Sequence, residues 1–146
     1  MDRGKKVEEY MSPISDRMVT TETSLMEVVK LLAMHKQGAI IITDDNKEFE
    51  GVISGTDLLR QLEKNIESSV LLDGLAKHIM TKKGRAATIG EGTLMVEAVD
   101  EMTAARVHSL IVMRVYQPVG ILTQGDVLRW WYELQGGVIK PPTKRT

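Results

Sequence analysis

The chain has 146 residues, of which 42% are hydrophobic, and its 19 Lys and Arg against 20 Asp and Glu leave a net charge of -1. A near-neutral balance without a long basic block argues against a nucleic-acid partner, and the absence of Cys excludes disulfides, thiolate metal sites and a cysteine nucleophile. No stretch approaches the roughly 20 apolar residues of a membrane span, and no apolar signal-peptide core follows the N-terminus, so we expect a cytoplasmic protein.

The first half of the chain predicts a short strand, a helix, two further strands and a second helix. Residues 25–34 place apolar side chains at 25, 28, 29, 32 and 33, the spacing of one helix face, and Ser24 with Glu27 forms a capping box in front of them. AIIIT at 39–43 and GVIS at 51–54, separated by the polar turn DDNKE, predict two strands. The amphipathic run LLRQLEKNI then predicts the second helix.

The second half of the chain repeats this order. SLIVM at 109–113 and VGILT at 119–123 predict two strands around a tighter turn, RVYQP, and an amphipathic helix runs from Asp126 to about Leu134. The tail GGVIKPPTKRT contains Gly and Pro and few apolar residues, so we expect a flexible segment there.

An internal repeat explains why the two halves agree. The string FEGVISGTDLLRQLEK returns as VGILTQGDVLRWWYEL, so Gly51 and Asp57 recur 69 residues later as Gly120 and Asp126. Upstream, SLMEVVKLLAMHKQGAIIIT returns as TLMVEAVDEMTAARVHSLIVM at a spacing of 70, and one loop insertion accounts for the difference. The chain is therefore two copies of one unit.

The repeat sets the predicted domain organisation and fold. The segments are repeat one at 7–64, a connector at 65–79, repeat two at 80–134 and a flexible C-terminal tail at 135–146. Continuous apolar strands imply sheets that are covered on both faces, with helices on one face and the partner repeat on the other. The sequence predicts an α/β (α+β) fold in which two β-α-β-β-α repeats with small mixed sheets pack about a pseudo-twofold axis.

These repeats resemble CBS domains, the family named after cystathionine beta-synthase, in which two tandem copies form one unit called a Bateman module. The resemblance covers about residues 7–134. It rests on the segments MSP at 11–13 and MT at 80–81, which open the copies, and on GVISGTDLL and GILTQGDVL, which close them.

The resemblance implies a regulatory role. Family pairs bind AMP, ADP, ATP or related adenosyl ligands in clefts between the repeats, so we expect an adenine nucleotide as a ligand and no catalytic cofactor. Such pairs often form disc-like homodimers, which implies a homodimer here, and a sensing role implies a separate effector protein. The composition and charge of the chain predict neither a membrane nor a nucleic acid as partner, although some related modules bind DNA or RNA.

Two aspartates are the leading candidates for ligand contacts. Asp57 and Asp126 each follow a strand and begin a helix, where a carboxylate could accept two hydrogen bonds from a ribose cis-diol. The same position suits an N-terminal cap, which satisfies free backbone N–H groups and needs no ligand. The resemblance favours ribose binding at one or both positions.

Hydroxyl residues near these positions also match places where the family contacts the ribose, the phosphates or the base. Such residues also end strands and satisfy turn backbone, and Thr is common in edge strands, so each contact has a structural alternative. The candidates are Ser54, Thr56 and Thr123 before the aspartates, and Thr20 (or its neighbour Thr21) and Thr88 on the short first strand of each copy.

One basic residue, His108, distinguishes the second copy. Arg106 and His108 precede its buried strand, where family members place a basic residue toward the phosphates, although a lone His is more often a surface residue. The first copy has Gly38 and Lys36 at the positions of His108 and Arg106. The family lines the adenine pocket with backbone like that of Gly38 and Ala39. This asymmetry predicts that the cleft of copy two is the better phosphate site.

The remaining conspicuous side chains have ordinary interpretations. Trp130, Trp131 and Tyr132 on the last helix are expected at a dimer interface rather than under a nucleic-acid base. His35 and His78 lack the spacing of metal ligands, so no metal site is predicted.

Three other functions compete with a nucleotide sensor. An enzyme is disfavoured because no Ser-His-Asp order, GxSxG, P-loop or acid/base carboxylate pair is present. A structural dimerisation module with decayed clefts is a second alternative, since copy one lacks a His at position 38 and copy two has Gly125 where copy one has a threonine. The third alternative is a module that binds S-adenosylmethionine or nucleic acid, and the acidic net charge argues against nucleic acid.

Overall fold

Two sets of matching elements make up the chain, and the computed structural model describes residues 3–14, 18–35 and 38–139. The first set consists of β1 (Ser12–Pro13), β2 (Met18–Thr20), α1 (Leu25–His35), β3 (Ala39–Thr43), β4 (Phe49–Ser54) and α2 (Gly55–Lys64). Two short helices follow, α3 (Ser69–Asp73) and α4 (Ala76–Ile79). The second set consists of β5 (Thr81–Lys82), β6 (Thr88–Gly90), α5 (Met95–Ala105), β7 (Ser109–Arg114), β8 (Gln117–Thr123) and α6 (Gln124–Leu134).

The predicted bounds of the main helices and strands lie within two residues of the observed ones. The largest systematic difference is at α2 and α6, which begin at Gly55 and Gln124 rather than at the aspartates. The reason is that Ser54 and Thr123, with extended backbone, act as the N-caps, so each aspartate is the third residue of its helix. The predicted connector at 65–79 contains both α3 and α4.

Each repeat contributes its first strand to the sheet of the other repeat. One sheet has the strand order β2-β3-β4-β5 and the other has the order β1-β8-β7-β6. β2 runs parallel to β3, and β6 runs parallel to β7, whereas every other pair is antiparallel. The short strand β1 therefore pairs with β8 of repeat two, and β5 pairs with β4 of repeat one.

The exchange of strands between the sheets explains why both repeats have a glycine at the matched positions 51 and 120. A Cβ atom on Gly51 would collide with the Thr81 carbonyl oxygen and the Met80 side chain. A Cβ atom on Gly120 would collide with the Met11 side chain and the backbone of the residue after it. The methionine that opens each repeat thus packs over the glycine of the other repeat, and only glycine allows this close approach.

Three apolar clusters hold the layers together. The core between sheet and helices of repeat one is built on Leu25, Val28, Ile40, Ile42, Ile53, Leu58, Leu71 and Ala76. The corresponding core of repeat two is built on Val7, Ile89, Met95, Ala98, Met102, Leu110, Val112, Leu122 and Trp130. A third cluster joins the two sheets and consists of Ala39, Ile41, Phe49, Ile111 and Ile121. The predicted packing, with helices on one face of each sheet and the partner repeat on the other, is confirmed.

The segment before β1 and the segment before β5 occupy equivalent places. The Val7 N–H donates to the Thr93 carbonyl (2.9 Å) and the Ala76 N–H donates to the Thr23 carbonyl (2.7 Å), and both side chains are completely buried. Each segment thus fills the core of the repeat to which it contributes its strand.

No helix in the described ranges is long and apolar enough to cross a membrane.

The aromatic cluster on α6 is divided between core and surface. Trp130 is 5% exposed and belongs to the core of repeat two, whereas Trp131 is 55% exposed and Tyr132 is 48% exposed. The expectation of interface burial is therefore wrong for Trp130, because the helical period turns it inward while the next two residues point to solvent.

Candidate functional site

Each of the two aspartates uses one oxygen atom in a capping box. Asp126 Oδ2 accepts the Thr123 N–H (2.8 Å), while the Asp126 N–H donates to Thr123 Oγ1 (3.3 Å). In repeat one, Asp57 Oδ2 accepts both the N–H (2.8 Å) and the hydroxyl (3.0 Å) of Ser54, and the Asp57 N–H donates back to that hydroxyl (3.3 Å). The N-caps are Ser54 and Thr123, so the predicted N-cap position of the aspartates is wrong. Each aspartate is instead the third helical residue, and it accepts the N–H of the N-cap residue through Oδ2.

The second carboxylate oxygen remains available in both repeats. Asp57 Oδ1 lies 3.9 Å from the Arg60 guanidinium, and Asp126 Oδ1 lies 3.8 Å from that of Arg129, too far for a hydrogen bond in either case. Among the described residues neither Oδ1 has a hydrogen-bond donor. Because the capping box fixes the rotamer and the side chains are only 17% and 12% exposed, each oxygen is a preoriented acceptor.

The backbone before each buried strand is bonded to the start of the same helix. The His108 carbonyl accepts the Gln124 N–H (3.0 Å), and the Gly38 carbonyl accepts the Gly55 N–H (3.2 Å). Gly38 and His108 therefore occupy equivalent places, as the sequence predicted.

Strand pairing completes this end of each sheet. Ala39 pairs with Ser54, and Ser109 pairs with Thr123. The structure thus brings Gly38, Ala39, Ser54 and Asp57 together in repeat one, and His108, Thr123 and Asp126 together in repeat two.

Thr20 and Thr88 do not occupy equivalent positions. Thr88 opens β6 opposite Ile111, and the residue with the matching register in repeat one is Met18, opposite Ile41. Thr20 pairs with Thr43 at the far end of β3, and its hydroxyl accepts the Glu22 N–H (3.3 Å). The structure therefore does not bring Thr20 to Asp57. The sequence alignment matched Thr88 with Thr20, two residues after its true equivalent. Such an error is easy because side chains two residues apart in a strand lie on the same face of the sheet.

The remaining candidates lie on the surface around these helix starts. Thr56 is exposed in the first turn of α2, and a Cβ at the matching Gly125 would meet nothing closer than Thr123 Oγ1 at 3.6 Å. Arg106 ends α5 with a left-handed backbone (φ 54°) and, like His108, is exposed.

Two surface grooves border the candidate residues. Arg106 and His108 line a groove of about 590 Å³ between α5 and α6, together with Val99, Met102, Thr103, Val107, Gln124, Val127 and Leu128. Asp126 and Thr123 do not line that groove. In repeat one, Asp57 and Arg60 line a groove of about 660 Å³ with Gln61, Glu63, Lys64 and Ile79. In the part of the chain that the structure describes, no group of three or more His, Cys, Asp or Glu residues could hold a metal ion.

Arg60 and Arg129 were missed in the sequence interpretation. Both lie three residues after an aspartate, in the strings DLLR and DVLR, at the same spacing of 69 as the aspartates. This recurrence was the available signal, because residues three apart on a helix are neighbours.

Comparisons with known proteins agree with this geometry. Residues 7–64 and 76–133 each match the family described as CBS domain. The CBS domain-containing protein CBSX3, mitochondrial, of Arabidopsis thaliana is 26% identical over 112 residues, which are 75% of this chain and 53% of that protein. The chain thus spans about half the length of this curated relative.

Two solved structures share the fold. The structure of CBSX2 from Arabidopsis thaliana in complex with AMP has a TM-score of 0.74 and 24% identity, and the match covers 90% of this chain and 99% of that one. The CBS domain pair of MJ0100, in complex with 5′-methylthioadenosine and S-adenosyl-L-methionine, has a TM-score of 0.71 and 22% identity, and the match covers 89% and 98% of the two chains. At these identities the likeness establishes the fold.

Proposed function

This chain belongs to the CBS domain family, and from that premise we propose that it is a non-catalytic regulatory module that binds an adenine nucleotide at the start of α6. The observation that carries the proposal is the pair of preoriented Oδ1 atoms on Asp57 and Asp126, which lack hydrogen-bond donors in the described structure. AMP, 5′-methylthioadenosine and S-adenosylmethionine, the ligands in the two related structures, share a ribose cis-diol, which supplies two donors for one carboxylate oxygen.

The capping box supports this role by fixing the carboxylate before the ligand arrives. Asp126 Oδ2 is held by the Thr123 N–H, so the side chain loses little rotamer freedom when a diol binds at Oδ1. The hydrogen bonds to the diol would be charge-assisted, which makes them stronger than bonds between neutral groups. Asp57 offers the same arrangement in repeat one.

The phosphates would distinguish the two repeats. The His108 carbonyl is bonded to Gln124, the first residue of α6, so a phosphate group attached to a ribose at Asp126 would extend toward His108 and Arg106. Repeat one has Gly38 at the place of His108, although Lys36 matches Arg106 in sequence. We therefore assign the stronger site to repeat two, and AMP, ADP and ATP are the candidate ligands.

The helix faces support assembly into a homodimer. Leu59 on α2 and Leu128 on α6 are equivalent residues and are both 66% exposed. Met26 on α1 and Val96 on α5, also equivalent, are 49% and 42% exposed. Apolar side chains exposed at matched positions in both repeats are surface that a second copy would cover.

The effector protein that would receive the signal remains a prediction. The expected cytoplasmic location also remains a prediction.

The decisive experiment replaces one atom of the carboxylate. Asp126→Asn keeps an oxygen for the Thr123 N–H but places an NH2 donor where Oδ1 now accepts. Calorimetric titration with AMP, ATP and S-adenosylmethionine should show binding to the wild-type chain and a loss of affinity of about tenfold or more in this variant, with little change in thermal stability.

The matched variant Asp57→Asn tests the other site and should reduce affinity less. If none of the three ligands binds the wild-type chain, the structural dimerisation module becomes the better account, since the capping boxes explain both aspartates without a ligand. If S-adenosylmethionine binds and the nucleotides do not, the ligand class is corrected. Release of phosphate from ATP would contradict the non-catalytic assignment.

A further inference from the structure

Arg129 connects the candidate ligand carboxylate to the N-terminal segment of the chain. Its Nη2 atom lies 3.8 Å from Asp126 Oδ1 and donates a hydrogen bond to the Tyr10 carbonyl (3.1 Å). The guanidinium carbon also lies 5.1 Å from the centroid of the Tyr10 ring, within the range of a cation–π contact. One side chain thus contacts the start of α6 and a residue 119 positions away in sequence.

Tyr10 belongs to a segment that is firmly docked on repeat two. The N–H groups of Tyr10 and Met11 both donate to the Val7 carbonyl (3.0 and 2.9 Å), and Val7 is buried in the core of repeat two. Burial and the neighbouring Glu133 carboxylate, near the end of α6, raise the pKa of the Tyr10 phenol above its usual 10.0. The segment therefore contacts α6 through Arg129, and Tyr10 lines the same groove as Glu133.

Repeat one contains the same arginine without this connection. Arg60 lies 3.9 Å from Asp57 Oδ1, but Ile79 stands at the place of Tyr10 and offers no aromatic face. Among the described residues Arg60 makes no hydrogen bond to a backbone carbonyl, and its side chain is 70% exposed against 41% for Arg129. The repeats thus provide a natural comparison at one position.

We propose that Arg129 is a positioning residue that couples ligand binding at Asp126 to the docking of the segment from Lys5 to Pro13. The inference rests on the proposed function, because it needs a ligand that uses Asp126 Oδ1. Held by the Tyr10 carbonyl and ring, the guanidinium keeps a positive charge beside Oδ1 without forming a hydrogen bond to it. The carboxylate therefore stays oriented while its second oxygen remains open to a diol.

The coupling has a definite sign. If docking of the segment holds Arg129 in the position that favours the ligand, binding of the ligand must stabilise docking by the same factor, because linkage is reciprocal. The segment carries β1, so the effect would reach the edge of the sheet that it completes. Repeat one should show no such response, since Arg60 is not attached to the segment before β5.

Hydrogen–deuterium exchange of the full chain, with and without AMP, tests this inference. The reporting amides are those of Val7, Tyr10 and Met11. The Ala76 amide, in the equivalent segment that docks on repeat one, is the internal reference. Saturating AMP should slow exchange of the three reporting amides by about fivefold or more in the wild-type chain, and should not change Ala76.

Three variants separate coupling from simple packing. Arg129→Lys keeps the charge but cannot contact both groups with a planar fork, so it should bind AMP more weakly and lose the protection. Arg60→Lys, at the matched position, should retain the protection. Tyr10→Phe keeps the ring and the backbone carbonyl and should also retain it.

The outcomes distinguish the two proposals. If calorimetry shows that AMP binds and the three amides do not change, or if Arg129→Lys keeps the full protection, the coupling is wrong while the proposed function stands. If ATP binds and AMP does not, the exchange experiment is made with ATP. If calorimetry detects binding of neither nucleotide, both the proposed nucleotide function and the coupling are overturned.

Discussion

The two repeats have the same backbone framework and differ in the side chains attached to it. At the start of α2 and of α6, the capping box, the strand pairing and the bond from the preceding loop carbonyl are the same. Gly38 and Ile79 lie around the start of α2. His108 and Tyr10 occupy the equivalent places around the start of α6. The shared features are those that make the helix start, whereas the differing ones surround it. The two helix starts thus share one framework, while the side chains around them differ.

The largest expected effect tests the glycines at the strand exchange. A methyl group on Gly51 meets the Thr81 carbonyl oxygen, which is rigid backbone, whereas on Gly120 it meets first the flexible Met11 side chain. Gly51→Ala should therefore lower the free energy of unfolding by about 3 kcal/mol, and Gly120→Ala by about half as much. Urea denaturation measures both values. Gly84→Ala, with nothing within 4 Å of the new atom, is the control, and equal losses at the two exchange sites would contradict the argument.

The next effect tests the basic side chain that distinguishes the ligand sites. His108→Gly should weaken ATP binding about tenfold, or about 1.4 kcal/mol, because a phosphate contact is lost. Gly38→His should strengthen the site of repeat one, since a Cβ at position 38 meets only Ser109 Oγ, at 3.9 Å. Calorimetry measures the affinities, with Gly38→Ser as control. Unchanged ATP affinity in His108→Gly would remove the reason for ranking repeat two first.

A smaller effect compares the two caps. Ser54→Ala and Thr123→Ala each remove the acceptor for the aspartate N–H and should each cost about 1 kcal/mol of stability. Ser54→Ala should cost somewhat more, because its hydroxyl also donates to Asp57 Oδ2. Thermal denaturation measures the difference, and Ser54→Thr and Thr123→Ser serve as conservative controls. A loss confined to one repeat would show that the helix starts are not energetically alike.

The smallest effect is a dependence on alkaline pH that arises where Tyr10 docks on repeat two. The pKa of Tyr10 is raised by burial and by the neighbouring Glu133 carboxylate, so the folded state favours the protonated phenol. That contribution is fully present below about pH 10, the ordinary pKa of Tyr, and is lost as the pH rises through the folded-state pKa. Urea denaturation of the wild-type chain at pH 8 and pH 11 should show a decrease that Tyr10→Phe reduces. Tyr116→Phe, at a residue 87% exposed in the turn between β7 and β8, should leave the decrease intact.

The order of elements could be predicted from the sequence because it depends on local patterns. The 3.6-residue spacing of α1 and the continuous apolar run of β3 are visible without any partner. The internal repeat matched the two aspartates and the family resemblance added their ligand role. The structure places each aspartate as the third residue of its helix. Glycines at 51 and 120 could be matched with each other but not explained, since their reason is a contact with a distant residue.

The strand exchange and the details of the site could not be predicted for physical reasons. β1 and β5 have only two residues each, too few for any periodicity, and their pairing is non-local. The register of Thr20 was ambiguous because residues two apart in a strand share a face. Arg129 donates a hydrogen bond to the Tyr10 carbonyl, and no sequence pattern indicates a bond between residues so far apart in the chain.

The exchanged strands imply that the sequence repeat and the unit of folding are different things. A fragment ending after α2 would contain β1 and Val7, which complete repeat two, yet would lack the β5 and Ala76 that complete its own sheet and core. A fragment beginning before α3 would have the reverse deficiency. Neither half should be stable when expressed alone, but each carries the missing piece of the other. A chain cut between Lys64 and Ser69 should therefore reassemble from its two halves by fragment complementation.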